Sequence, residues 1–142
     1  MSQSPVHQMS RDECWELLRS NEFGRLAFHL TGEVHIVPLN YATDREVLLF
    51  RTSQGNKLLG VVMQSDVAFE IDGYAQDEAW SVIVRGDARV LEKRDDRERA
   101  EASRLRSWIP TDKEVFVEII PEEITGRRFD LDKPWEHAIP VR

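Results

Sequence analysis

Apolar and polar residues alternate along several stretches of this chain, a pattern typical of β-strands with one buried and one solvated face. Residues 66–74 (DVAFEIDGY) alternate in this way, and residues 80–92 (WSVIVRGDARVLE) do so for longer. In the longer stretch Trp80 begins the apolar face and Arg85 lies on the polar face. Gly86, in its middle, predicts a bend, a bulge or a close neighbour. Both stretches therefore predict strands.

Turn residues divide the first half of the chain into further strands. Residues 25–30 (RLAFHL) and 34–41 (VHIVPLNY) flank a Thr-Gly-Glu turn and predict a hairpin. A second turn at 43–46 leads into residues 47–52 (VLLFRT). We therefore expect three strands in an antiparallel meander.

The last third of the chain predicts two more strands. They are residues 114–120 (EVFVEII) and residues 124–131 (ITGRRFDL), and the proline-containing residues 121–123 predict a break between them.

Helices are predicted in three places. Ser10 followed by Glu13 has the spacing of a capping box and predicts a helix to about Ser20. Residues 58–65 have apolar positions at helical spacing. Residues 95–106 are highly charged and predict a solvated helix.

About six strands with short helices, and no repeating strand-helix-strand order, predict a mainly β barrel. A length of 142 residues suits a single domain covering 1–142. We expect residues 1–9 to form a flexible N-terminus. The C-terminal tail, 132–142, contains Trp135 and is expected to pack on another part of the assembly.

The charge and hydropathy of the chain exclude several classes of function. A net charge of −7 argues against binding to nucleic acid or to anionic membranes. No apolar run approaches the roughly 20 residues of a membrane span, and the N-terminus lacks the order of a signal peptide. These features predict a cytoplasmic protein.

Metal-site and hydrolase signatures are not evident in the sequence. The four histidines have no ligand spacing, and Cys14 is alone within a helical pattern. No nucleophile-elbow pattern is present. We therefore expect no metal site and nominate no catalytic residue.

A polar loop follows the strand at 47–52. Lys57 falls in the first turn of the helix that follows, with Ser53 or Asn56 as N-cap, and a lysine there opposes the helix dipole. A bound anion would reverse that effect, with Arg51 and Thr52 adding a charge and a hydroxyl. The alternative is that the basic residues are solvated, and this stretch alone does not decide between the two.

Pro38 interrupts a strand that needs backbone donors. A proline cannot donate to a sheet, so this strand must have a free edge, a bulge or a ligand beside it. In the ligand case the backbone of Val37, Leu39 and Asn40 would offer hydrogen bonds to a flat heterocycle.

These segments together carry a resemblance to a known family. Residues 35–62 (HIVPLNYATDREVLLFRTSQGNKLLGVV), followed by the stretches at 66–74 and 80–92, resemble the pyridoxamine 5'-phosphate oxidase-like family of FMN-binding split barrels. The match is densest over 10–91, and residues 124–131 are similar to the closing segment of bacterial members. The resemblance implies a six-stranded antiparallel split barrel that forms a homodimer with flavin sites at the subunit interface.

The resemblance also implies roles for particular residues. Those that would hold the FMN phosphate and ribityl end are Arg51, Thr52, Asn56 and Lys57. Those that would run along or near the isoalloxazine ring are Val37, Pro38, Leu39, Asn40 and Phe50. Trp80 and Ser81 would come from the partner subunit.

Three functions follow from the resemblance. The first is an FMN-dependent oxidoreductase that transfers a hydride between the flavin and an unidentified small molecule. The second is a reductase that uses a deazaflavin coenzyme, and the third is a flavin-binding module without turnover. The C-terminal sequence DKPWEHAIPVR lacks the arginine and histidine arrangement that grips the substrate phosphate in pyridoxal phosphate-forming oxidases, so that activity is not expected.

Overall fold

The computed structural model describes residues 5–53, 66–91 and 114–131 of the chain. Within these residues there are eight strands and one helix. In chain order they are β1 (Val6–Gln8), α1 (Arg11–Ser20), β2 (Phe23–Leu30), β3 (Glu33–Asn40), β4 (Ala42–Asp44), β5 (Val47–Ser53), β6 (Val67–Tyr74), β7 (Glu78–Val90) and β8 (Glu114–Asp130). No helix among the described residues is long and apolar enough to cross a bilayer.

The strands form one antiparallel sheet that curls on itself. Its order is β3-β2-β6-β7-β8-β5-β4, and β1 pairs with β8 outside this path. Strands β3 and β4 are at opposite ends of the order, yet Tyr41 alone separates them in the chain. The two ends of the sheet must therefore meet, which confirms the mainly β, split-barrel prediction. The resemblance implied six strands. The described residues contain eight because the two short strands β1 and β4, of three residues each, accompany six longer ones.

The predicted three-strand meander is wrong in its last pairing. Strands β2 and β3 do form a hairpin, with Thr31 and Gly32 both at positive φ, as the tight turn requires. Strand β5, however, pairs with β4 and β8 and not with β3. The turn at Arg45–Glu46 reverses the chain within the β4/β5 hairpin instead.

Helix α1 starts as its capping box predicts. Ser10 Oγ accepts a hydrogen bond from the Glu13 backbone N–H at 3.2 Å, and a Glu13 carboxylate oxygen accepts one from the Ser10 N–H at 3.3 Å. Its buried residues, Cys14, Trp15 and Leu18, belong to the main core. The phenol of Tyr41 donates to the Leu18 carbonyl at 2.7 Å and ties the helix to the corner between β3 and β4.

The predicted break at 121–123 is a bulge inside one continuous strand. Strand β8 pairs with β7 along its length, and the register shifts between Arg85 and Gly86, which pair with Glu123 and Pro121 respectively. The extra residue bends the strand without ending it, and a bulge is one of the places where a sheet tolerates proline.

Residues 6–8 are not a flexible N-terminus in the structure. Strand β1 pairs antiparallel with residues 127–129 of β8. The Met9 N–H donates to the Gly126 carbonyl at 2.9 Å, and His7 Nε2 lies 2.8 Å from a carboxylate oxygen of Asp130. These contacts order the segment. The helices predicted at 58–65 and 95–106, and the tail at 132–142, lie outside the described residues.

The buried side chains form two clusters on opposite faces of β5. The main cluster fills the curl of the sheet and contains Leu48 and Phe50 of that strand. The smaller one, on the outer face, contains Leu49, Leu91 and Phe116, with Val47 packed against it. Thr52 and Glu118 are the two polar side chains that are buried in the described part of the chain.

Candidate functional site

The outer edge of β3 is the first component of the site. Within the described residues β3 pairs only with β2, in a hairpin closed by Leu30 and Glu33. Hydrogen-bonded and non-hydrogen-bonded pairs alternate from that closing pair, so Pro38, opposite Arg25, is at a non-hydrogen-bonded position. Its nitrogen therefore faces outward, where a proline costs the sheet no hydrogen bond. The unbroken β2/β3 register excludes a bulge at Pro38 and leaves the other two explanations, a free edge or a ligand along that edge.

The four predicted ring-contact residues of β3 point in two directions. Val37 and Leu39 pack against the main core, whereas Pro38 is exposed. Asn40 is half-buried, and its side-chain amide donates to the Glu22 carbonyl at 3.3 Å. By the same alternation the backbone groups of Val37 and Leu39 face β2, so of the three backbones expected to bind a heterocycle only that of Asn40 faces outward. A ligand along this edge would meet that backbone and the Pro38 ring before it meets the apolar side chains.

The predicted residues on β5 also divide between two faces. Phe50 is fully buried in the main core and pairs with Val117 of β8, so its side chain contributes packing. Thr52 follows on that same inner face and is 8% exposed. Arg51 is on the outer face, because side chains alternate along a strand. A ligand that contacts both Arg51 and Thr52 must therefore lie at the end of β5 rather than on one of its faces.

The fold brings the β3 and β5 groups together. Ala42 pairs with Leu49 in the β4/β5 hairpin, and the chain runs from there through Tyr41 directly back into Asn40. Strands β3 and β5 also contact each other. The predicted ring and phosphate residues on these strands are thus neighbours at the corner where the ends of the curled sheet meet. Asn56 and Lys57 lie outside the described residues.

Trp80 and Ser81 are far from Arg51 along β8. Trp80 packs over Gly73 on the neighbouring strand and pairs with Arg128 of β8. Arg51 pairs with Phe116 of β8, which precedes Arg128 by 12 residues (128 minus 116). Twelve residues of strand cover about 40 Å of chain. The structure therefore separates Trp80 and Ser81 from Arg51, in the β5 half of the corner, along β8.

A charged cluster beside Pro38 was not predicted from the sequence. Arg25 Nη1 lies 2.9 Å from a carboxylate oxygen of Glu70 and 3.3 Å from one of Asp72. Burial raises the pKa of Glu70, and the hydrogen bond and charge of Asp72 raise it further, while Arg25 opposes them. The cluster forms because β2 pairs with β6, and local sequence patterns do not reveal which strands pair.

A second ion pair that was not predicted from the sequence joins β7 and β8. Glu118 is almost fully buried, and both Nε and Nη2 of Arg89 lie 2.8 Å from one of its carboxylate oxygens. The sequence shows both residues on strands, but only the β7/β8 register brings them opposite each other.

The cysteine and the potential metal ligands among the described residues form no further reactive site. Cys14 is buried, and desolvation raises the pKa of its thiol, which keeps it protonated and unreactive. No group of three or more histidine, cysteine or acidic side chains in the described segments could hold a metal ion.

The sequence profile of the pyridoxamine 5'-phosphate oxidase family matches residues 10–128 of this chain. The chain belongs to this family. The match spans from the N-cap of α1 to the last strand and thus includes both parts of the β3–β5 corner.

Relatives of this family member come from several bacteria. An uncharacterized protein of Mycobacterium tuberculosis is 45% identical over 82 residues, which cover 58% of this chain and 74% of that protein. The structure of an FAD binding protein from Mycobacterium smegmatis has a TM-score of 0.81 at 37% identity, covering 89% of this chain and 100% of that one. An FAD-binding protein from Mesorhizobium loti has a TM-score of 0.73 at 27% identity, covering 87% and 97%.

Proposed function

We propose that this protein binds a flavin nucleotide non-covalently at the β3–β5 corner and transfers a hydride between the flavin and a small molecule. The observation that carries the proposal is the placement of Pro38. Among the described residues β3 has no second neighbouring strand, so the outward backbone at Pro38 lies open beside β5, whose last residues include Arg51 and Thr52. The two structural relatives described as FAD-binding proteins support the flavin.

The donor set at the corner suits a flavin. The outward backbone groups of β3 match the hydrogen-bonding edge of an isoalloxazine ring, and the apolar side chains of Val37 and Leu39 lie just behind that edge. The Arg51 guanidinium and the Thr52 hydroxyl suit a phosphate, since arginine binds phosphate through paired N–H donors. Asn56 and Lys57 are proposed to complete the phosphate site.

A bound flavin supplies the hydride chemistry, and the protein supplies binding and orientation. In this proposal the β3 edge orients the ring, and Arg51 and Thr52 anchor the phosphate. The buried core under Val37 and Leu39 keeps water from that side of the ring. No side chain of the chain is required to act as an acid or base.

The proposed cofactor is FMN, or FAD bound through its FMN half. The phosphate next to the ribityl chain is common to both, so the residues at the corner serve either one. The acidic net charge of −7 argues against the deazaflavin alternative, because that coenzyme carries an oligoglutamate tail. Chromatography of the flavin released by heating the purified protein would identify the nucleotide.

We also propose that the protein is a homodimer and that each site takes Trp80 and Ser81 from the partner subunit. The support is the separation of about 40 Å of strand between Trp80 and Arg51 within one chain. A site that includes both regions then has to be assembled from two copies.

The phosphate role of Arg51 gives the direct test of the flavin proposal. Arg51→Met keeps the length of the side chain and removes its charge, so FMN should bind roughly tenfold or more weakly, since a hydrogen bond to a charged group contributes about 1.5–3 kcal/mol. Quenching of flavin fluorescence during a titration measures the dissociation constant. Arg45→Gln, in the exposed β4/β5 turn, is the matched control and should bind FMN as the wild type does.

Turnover is tested separately from binding. The flavin-loaded protein is mixed with a reduced nicotinamide and then with an electron acceptor. Loss of the visible absorbance of the bound flavin, followed by its return, would indicate an enzyme. Flavin that stays oxidised under these conditions would indicate a binding module. A wild-type protein that takes up no flavin would overturn the proposal as a whole.

A further inference from the structure

Glu118 is a buried carboxylate in an apolar setting. It is 3% exposed and lies on the outer face of β8, next to the small cluster formed by Leu49, Leu91 and Phe116. Moving a carboxylate out of water is expensive unless it is paired and hydrogen-bonded. A carboxylate in this place therefore needs an explanation other than core packing.

Arg89 supplies the pairing. Two guanidinium nitrogens of Arg89, Nε and Nη2, each lie 2.8 Å from the same carboxylate oxygen of Glu118, from the directly opposite position on β7. Half of the Arg89 side chain remains exposed. A buried ion pair is a poor device for stability, because desolvation offsets the attraction, whereas it can fix the orientation of the groups around it.

The strand register places Arg51 beside this pair. Glu118 is opposite Leu49 on β5, and Phe116 is opposite Arg51, so Arg51 is the diagonal neighbour of Glu118 on the same face. Diagonal neighbours in an antiparallel sheet are about 7–8 Å apart, within reach of long side chains. Glu118 is thus paired with Arg89 of β7 and has Arg51 of β5 as its diagonal neighbour.

We propose that Glu118, held by Arg89, is a positioning residue for Arg51 and thereby sets the affinity of the site for the flavin phosphate. This inference rests on the proposed function. The carboxylate limits the directions in which the Arg51 side chain can point, which reduces the entropy lost when the phosphate binds.

The test compares a flavin that has a phosphate with one that lacks it. Glu118→Gln preserves the shape of the side chain and removes its charge. The dissociation constant for FMN should rise about tenfold, while that for riboflavin should change less than twofold. Fluorescence titration measures both, and thermal melting confirms that the variant is folded. Arg89→Met, which removes the anchor of Glu118, should shift the FMN-to-riboflavin ratio in the same direction.

A double variant shows whether Glu118 acts through Arg51. In an Arg51→Met background, Glu118→Gln should have no further effect on the FMN-to-riboflavin ratio. Glu70→Gln is the matched control, because Glu70 forms a cross-strand pair of similar length with Arg25 on the β2/β6 side of the sheet. It should leave the ratio unchanged.

The outcomes separate this inference from the proposed function. A wild-type protein that binds FMN, together with Glu118→Gln and Arg89→Met variants that keep the wild-type ratio, overturns the role of Glu118 alone. Equal losses for FMN and riboflavin also overturn it, since they indicate a structural effect. A wild-type protein that binds neither flavin overturns the proposed function itself.

Discussion

At the scale of single residues, Gly86 shows how closely two strands approach at the bulge. A Cβ atom at this position would overlap the backbone carbonyl oxygen of Ile120 and lie 3.0 Å from the Cα of Pro121. Both obstacles are backbone atoms, which cannot move aside as a flexible side chain would. The register shift of β8 and the glycine of β7 are therefore two parts of one local structure.

We predict that Gly86→Ala destabilises the protein by about 2–3 kcal/mol, because overpacking of this kind forces backbone shifts. Urea denaturation followed by tryptophan fluorescence measures the loss. Gly32→Ala is the control: it has open space but a φ of +81°, so it should lose only about 1 kcal/mol. A smaller loss for Gly86→Ala than for Gly32→Ala would contradict the packing argument.

Residue roles that depend on local pattern could be predicted from the sequence. Gly86 within an alternating strand indicated a bend, a bulge or a close neighbour, and the bulge is there. Pro38 indicated an edge, a bulge or a ligand, of which the register excludes the bulge. The Arg89–Glu118 and Arg25–Glu70 pairs could not be predicted, because each depends on the register between strands that are 29 or 45 residues apart.

At the scale of elements, α1 owes its start to the Ser10–Glu13 capping box. We predict that Ser10→Ala costs about 1 kcal/mol, the usual loss for an N-cap that leaves a helix N–H without its acceptor. Ser20→Ala, at the other end of the helix, should cost less than about 0.5 kcal/mol, because the Ser20 hydroxyl is exposed and donates only to the Leu17 carbonyl. Chemical denaturation measures the free energy of unfolding of both variants. Equal losses of stability would argue against a capping role for Ser10.

The elements also show where sequence patterns fail. Residues 121–123 look like a break because Pro121 cannot donate to a sheet, yet β8 continues through them by means of the bulge. Residues 6–8 have no strong strand pattern and are ordered by pairing with residues 127–129, more than 100 positions later. In both cases the deciding interaction is a non-local backbone pairing.

At the scale of the whole molecule, the topology determines which residues share a site. The predicted meander would have placed β5 beside β3 in the sheet, whereas β5 pairs with β8 and meets β3 only where the sheet curls back. The β3–β5 corner is therefore formed by the closure of the sheet, and local turn signals do not contain that information. The same topology separates Trp80 and Ser81 from Arg51 along β8.

A complementation experiment tests whether two copies build each site. Each proposed site contains Arg51 of one subunit and Trp80 of the other. Arg51→Met alone and Trp80→Ala alone should therefore each weaken FMN binding at both sites of a homodimer. When the two variants are unfolded together and refolded, each mixed dimer should contain one intact site and one doubly altered site. Since random pairing makes half of the dimers mixed, about a quarter of all sites should bind FMN with wild-type affinity. A refolded mixture with no high-affinity sites, although each variant alone refolds, would mean that Trp80 and Arg51 do not meet across an interface.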